Sequence, residues 1–420
     1  MQTLIYKRME TGVRFVWLAA FVLGLAATAP ATTWSNVITY PVPTANSELS
    51  GIAAGLAGGL WFTEYNSNKI GRITTAGVIT EYTIPTAQSF PAGITAGPDG
   101  ALWFAEYGSN EIGRITTAGV ITEYPVPTVN SGPEGITAGP DGALWFTEYY
   151  GNNIGRITTA GAISEYPVPT TNSGLEGITT GSDGAMWFTE WGANKIGRIT
   201  TAGVVTAEYP IPTANSEPLG ITMGPDGALW FTEEGGNKIG RITNGGIITE
   251  YPVPTARSEP FGITAGPDGA LWFTEFHGSI ARITTAGVIT EYPAASSEPS
   301  GITAGPDGAL WFTGYESNNI ARAPACGLGL SASFANGTLT MNFNLGIDTD
   351  AIWSANVLTS TGGGKQLWSR LISAVVPPAS FTLTFGPGFP DLGTVIVGSG
   401  LETAAGEGLC LETVNVNAAQ

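Results

Sequence analysis

The stretch Gly135-Ile136-Thr137-Ala138-Gly139-Pro140-Asp141-Gly142-Ala143-Leu144-Trp145-Phe146-Thr147-Glu148 leads into Ile154-Gly155-Arg156-Ile157-Thr158 and then Ile163-Ser164-Glu165-Tyr166-Pro167-Val168-Pro169. It reads as four short strands, rich in β-branched and aromatic residues. Pro-Asp-Gly, an Asn/Gly loop and Thr-Ala-Gly separate them, which is the pattern of antiparallel hairpins. The prolines bar the last strand from the middle of a sheet, where a backbone N–H is needed, and suit it to an outer edge. The unit then repeats. Trp-Phe begins at Trp61, Trp103, Trp145, Trp187, Trp230, Trp272 and Trp311, at spacings of 42, 42, 42, 43, 42 and 39 residues. Four antiparallel strands at that period predict the blades of a β-propeller.

Counting strands predicts how the ring closes. The first outer-type strand, Val37–Pro43, precedes the first Trp-Phe unit, and the last unit ends at Ile320-Ala321-Arg322 without one. The N-terminal strand should therefore complete the last blade. The expected fold is all-β: a seven-bladed β-propeller of four-stranded blades over residues 32–323, closed by that strand. Residues 324–420 alternate apolar and polar side chains and are punctuated by Asn336-Gly337, Gly362–Gly364 and Pro377-Pro378. They read as a small C-terminal β-sandwich.

Composition limits the function classes. The chain holds 59 Gly, 28 Pro, 12 Trp, 17 Phe and 13 Tyr, which fits a turn-rich, well-filled β protein and excludes disorder or collagen. Thirty-four acids against 16 bases argue against nucleic acid and anionic lipid as partners. His277 is the sole histidine, which excludes a His-rich metal site. Lys7, Arg8 and Arg14 precede the apolar run Phe15–Leu25, and Ala29-Pro30-Ala31 follows. Residues 1–31 thus read as a signal peptide, with the mature chain secreted, extracellular or periplasmic, and without a membrane span. In such a compartment Cys326 and Cys410 should form one disulfide. A monomer is expected.

Comparing the copies separates scaffold from site. The Arg at Arg72, Arg114, Arg156, Arg198, Arg241, Arg282 and Arg322 and the two Glu series, Glu81 to Glu291 and Glu64 to Glu275, recur in nearly every blade. They read as inter-strand or inter-blade partners. Variation gathers on one face. Just before each Gly-Ile, at the mouth of the innermost strand, stand Ser50, Ala92, Glu134, Glu176, Leu219, Phe261 and Ser300. Neighbouring loops add an aromatic collar of Tyr65, Tyr107, Tyr149, Trp191, Phe276 and Tyr315. Carboxylates beside aromatics around a channel mouth suit a small-molecule, peptide or glycan ligand. Glu134 and Glu176, one blade apart, also suit paired acid–base work. His277 reads as a solvent-exposed loop residue, with a relocated general base as the alternative.

The wording Gly-Pro-Asp-Gly-Ala-Leu-Trp-Phe-Thr-Glu, Asn-Lys-Ile-Gly-Arg-Ile-Thr and Ile-Thr-Glu-Tyr-Pro-Val-Pro-Thr resembles the streptogramin lyases (virginiamycin B lyases) over about residues 34–323. The resemblance implies a seven-bladed propeller that linearises a cyclic depsipeptide by elimination, with a histidine as base and Mg²⁺ polarising the ester carbonyl. Carried onto this chain, it places a metal-binding carboxylate at Glu298. The second falls at Glu316, or one residue away at Tyr315. Ser300 occupies the position of the base, Phe261 that of a substrate-binding histidine, and Ser50 that of a rim tyrosine. The expectation is a ligand-binding or catalytically altered member, with a Mg²⁺-dependent C–O lyase as the alternative reading and a Glu134/Glu176 hydrolase as the third.

Overall fold

The computed structural model describes residues 37–323 apart from Ala57 and 295–297, together with the backbone of Pro324 and of strands between Ser331 and Val416. Those residues contain strands, turns and no helix. Seven four-stranded antiparallel sheets follow one another. In the first blade Leu49–Ala54, Gly59–Glu64, Lys69–Thr74 and Ile79–Thr83 pair in chain order, from the innermost strand to the outer edge. The last blade takes three strands from Pro299–Pro324 and its outer strand from Ile38–Pro41, with Ile38 opposite Arg322 and Pro41 opposite Asn319. The expected closure is therefore present. Further strands form a three-stranded sheet (Ser331–Ala335, Thr338–Asn342, Ser380–Thr384) and a four-stranded one (Gln366–Ala374, Ile352–Ser360, Thr394–Glu402, Gly408–Val416). The segment 1–31, Cys326 and the side chain of Cys410 lie outside the described residues.

The core sits between blades rather than inside one. Trp103 and Ile112 of the second blade pack with Ile136, Leu144 and Phe146 of the third, and Trp311 packs with Phe62 across the closing seam. A sheet buried on both faces needs apolar residues at successive positions, which is why Leu-Trp-Phe runs unbroken where a half-exposed strand would alternate. Every Trp of the seven Trp-Phe pairs is fully buried.

The recurring charges hold these layers in register. Asp99 accepts hydrogen bonds from Trp103 Nε1 at 3.0 Å and from Arg114 Nε at 2.7 Å. Arg114 lies over the Trp103 ring, and Tyr124 stacks against the same indole. Asp141, Asp183, Asp226, Asp268 and Asp307 repeat the two bonds. The outer-strand glutamates reach between blades: Glu123 accepts from Thr86 N and Glu165 from Thr128 N, at 2.9 and 2.8 Å. These two series are scaffold, as their repetition implied. The third series differs. Glu106, Glu148, Glu190, Glu233 and Glu275 are buried beside another carboxylate, and loss of hydration raises them to about 7 or 8. Near neutral pH each holds its proton about half the time or more, so these carboxyls act as hydrogen-bonding groups as well as charges.

Candidate functional site

Each innermost strand breaks register at its mouth, as between Leu49 and Ile52 or between Pro133 and Ile136. The residue before Gly-Ile lies within that β-bulge, a device that re-aims a side chain. Ser50, Glu134, Glu176, Leu219, Phe261 and Ser300 thereby line one channel with the glycines that follow them. Ala92, the seventh residue of the series, is buried beside it. The glycines are required. A Cβ on Gly135 would stand 2.4 Å from the Glu176 carbonyl of the next blade, and one on Gly301 would stand 2.5 Å from that of Ser50.

Threonines clasp the same ring. Thr147 Oγ1 donates to the Glu176 carbonyl at 2.6 Å and accepts from Gly135 N at 2.9 Å. Thr63, Thr189, Thr232, Thr274 and Thr313 each reach the next blade's mouth carbonyl in the same way. The second blade has Ala105 at this position, so the Glu134 carbonyl lacks that bond.

The channel has a volume of about 170 Å³, room for a few waters or one projecting group. A larger ligand must rest on the rim above it. Glu134 and Glu176 share the mouth. Burial raises Glu134 to about 7, and burial with repulsion from Glu134 raises Glu176 well above the ordinary carboxylate range. The pair thus keeps a proton near neutral pH, and can offer a donor beside acceptors.

Above the mouth lies a second ring that the sequence did not reveal. Glu48, Phe90, Gly132, Gly174, Glu217, Glu259 and Glu298, each two residues before the mouth residue, have φ between 46° and 61°. Four glutamates are held in left-handed backbone where two blades use glycine, a placement that costs about 1 kcal/mol each and commonly marks a site. Their carbonyls accept the amide N–H of the collar: Tyr65 N to Glu48 O at 3.1 Å, Trp191 N to Gly174 O at 2.8 Å, Tyr315 N to Glu298 O at 2.9 Å. The only sequence signal was the mixture of Glu and Gly at one repeat position.

The collar splits into sectors. Tyr107, Tyr149 and Tyr150 cluster, with the Tyr107 and Tyr150 hydroxyls 2.9 Å apart. A second aromatic sector gathers around Phe276, whose ring contacts Phe261, His277 and Tyr315. His277 is 58% exposed, and its Nε2 lies 3.2 Å from Glu259 Oε1. Glu298 and Glu316 are brought together there. Desolvation, then repulsion from Glu316, raises the Glu298 carboxyl, against the opposing influence of His277. Tyr315 instead donates its hydroxyl to Glu48 Oε2 at 3.0 Å. Two facing carboxylates with open solvent suit Mg²⁺, which is commonly held by one or two carboxylates and several waters. Ser300 is 2% exposed at the channel wall, and its carbonyl receives Thr274.

The sequence profile of the virginiamycin B lyase family matches residues 27–230 and 208–353. A streptogramin B lyase structure is 43% identical, with a TM-score of 0.66, over 69% of this chain and 98% of its own. A selenomethionine-substituted virginiamycin B lyase from Staphylococcus aureus is 44% identical over 68% and 98%, also at 0.66. A catalytically inactive histidine-to-alanine variant of the Staphylococcus aureus enzyme, solved with quinupristin, is 45% identical over 68% and 98%, at 0.65. No curated protein matches the chain.

Proposed function

The chain belongs to the virginiamycin B lyase family, and from that premise we propose that it is a ligand-binding propeller in which the family's elimination chemistry is altered. One observation carries the reading. The chain's only imidazole, His277, stands in an exposed loop paired with Glu259, while the wall of the channel offers Ser300 and Phe261. A serine hydroxyl with no imidazole beside it is too weak a base to remove a carbon-bound proton near neutral pH. The remaining rim chemistry suits recognition: a partly protonated Glu134/Glu176 pair, aromatic sectors, and acids held in strained backbone. The ligand class that fits is a peptide-like molecule bearing an aromatic ring and hydrogen-bond donors. It would lie across the rim with one group in the channel.

A second reading retains C–O lyase activity, favoured by the proximity of both His277 and Glu316 to Glu298. Mg²⁺ bound by Glu298 and Glu316 would supply charge stabilisation to an ester carbonyl. His277 would have to accept a proton from the carbon next to the one that bears the ester oxygen, while the alkyl C–O bond breaks, a C=C bond forms between those two carbons and the ester's acyl part leaves as a carboxylate.

Incubation with a streptogramin B antibiotic and Mg²⁺, followed by chromatography with mass detection, separates the readings. Saturable binding with unreacted antibiotic supports the proposal. A new peak of unchanged mass marks ring-opening elimination and overturns it, and a gain of one water marks hydrolysis. If elimination occurs, His277→Ala tests the base. Ser300→His with Phe261→His should instead create Mg²⁺-dependent elimination in a protein that begins without it.

A further inference from the structure

The second blade departs from its siblings at one position outside the rim. The third strand opens with Lys69, Lys195 and Lys238 in three blades, and with Glu111 in the second. In the first blade the Lys69 ammonium lies 2.9 Å from Glu81 Oε2 and 2.5 Å from Thr44 Oγ1, so it bridges the outer strand to the incoming connection. Lys238 does the same with Glu250 and Thr213. Replacing that ammonium with Glu111 sets one carboxyl directly opposite another, Glu106, in the strand pairing.

Three carboxylates result. One oxygen from each of Glu106, Glu111 and Glu123 lies within 4.8 Å of the others. Glu106 is fully buried, and its Oε1 and Glu111 Oε2 are both shielded from solvent without a hydrogen-bond partner. Ser109 Oγ donates to Glu106 Oε2 at 2.8 Å and Thr86 N to Glu123 Oε1 at 2.9 Å, which fixes two of the three carboxylates. Oxygens separated by up to 4.8 Å can share one ion at Ca²⁺–O distances of about 2.3–2.6 Å.

We propose that Glu106, Glu111 and Glu123 form a structural site for a hard divalent cation, Ca²⁺ foremost, which replaces the ammonium that clamps the seam in sibling blades. Three carboxylates and no nitrogen or sulfur donor select such an ion over zinc or copper.

The test uses the full chain carrying Glu298→Gln, so that the rim pair contributes nothing, stripped with EDTA and titrated calorimetrically with CaCl₂. One Ca²⁺ should bind, and saturation at a hundredfold excess over Kd should raise Tm by about 5 °C. Glu111→Lys restores the sibling residue. It should abolish binding while keeping, without Ca²⁺, most of the thermal stability of the loaded protein. Glu111→Gln, a smaller change, should weaken binding by about tenfold or more through loss of ligand charge. Absence of uptake, or uptake unchanged in Glu111→Lys and Glu111→Gln, would overturn the proposal.

Discussion

A single missing carboxylate illustrates how closely this scaffold depends on individual residues. The first blade reads Gly55-Leu56-Ala57-Gly58 where five siblings read Gly-Pro-Asp-Gly and the fourth blade Gly181-Ser182-Asp183-Gly184, so the Asp that receives Trp and Arg is absent. Trp61 Nε1 and Arg72 Nε are accordingly buried without an acceptor. Leaving buried donors unsatisfied costs about 1–3 kcal/mol. Ala57→Asp is therefore predicted to stabilise the protein by about 1–2 kcal/mol, read as a higher denaturation midpoint with an unchanged m-value. No gain, or a loss, would mean that the first blade has adapted to its orphaned donors. The same scale governs the rim. The residues brought there were legible as variable positions, but the left-handed backbone of Glu48, Glu217, Glu259 and Glu298 was not, because glutamate carries no local preference for that conformation.

Among the elements, the innermost strands are joined by the threonine clasp, and one seam lacks it. Ala105 occupies the clasp position between the second and third blades. Ala105→Thr should supply bonds to the Glu134 carbonyl and Gly93 N and add about 1 kcal/mol of stability. Thr147→Ala should subtract about 1–3 kcal/mol, because a buried carbonyl and an amide lose their partner together. Paired denaturant melts check both, and equal midpoints for all three proteins would dismiss the clasp as a stabilising device. The period and hairpin pattern made the blades readable from sequence. The clasp escaped notice because Thr in Trp-Phe-Thr-Glu also fits plain β-propensity.

For the whole molecule, closure and protonation set the stability. Removing Thr32–Pro43 deletes the outer strand of the last blade and the stack of Tyr40 on Trp311. The truncated chain should lose cooperative unfolding or melt well below the intact one, and an unchanged melt would refute the closure. The pH dependence follows from opposing groups. The buried glutamates are raised, so their contribution is full below about pH 4.5 and is lost as pH rises through about 7 to 8. For Asp99, Asp141, Asp183, Asp226 and Asp307 burial alone would raise the carboxyl, but hydrogen bonds from Trp and Arg outweigh it and lower it. Their contribution is present above about pH 4 and lost as pH falls further. Tm should therefore peak near about pH 5–6 and decline toward pH 9, and Glu233→Gln should flatten the alkaline limb. A Tm that climbs from pH 6 to 9 would contradict the buried, protonated glutamates.

The sequence by itself determined the blade, the number of blades and the manner of closure. Hairpin turns and edge prolines act locally, and a 42-residue period leaves the chain little choice but to stack identical sheets. It also identified the face where variation gathers. Only the tertiary structure decided which of those residues meet. Glu298 faces Glu316 while Tyr315 turns to Glu48, and His277 pairs with Glu259 rather than standing at the channel wall. It alone revealed that burial raises one glutamate series into the neutral range, since the state of a carboxyl depends on how much water its neighbours exclude. Repeats encode the interior through short-range pattern, whereas a site on a propeller is assembled from loops far apart in the chain, whose spacing only the closed ring defines.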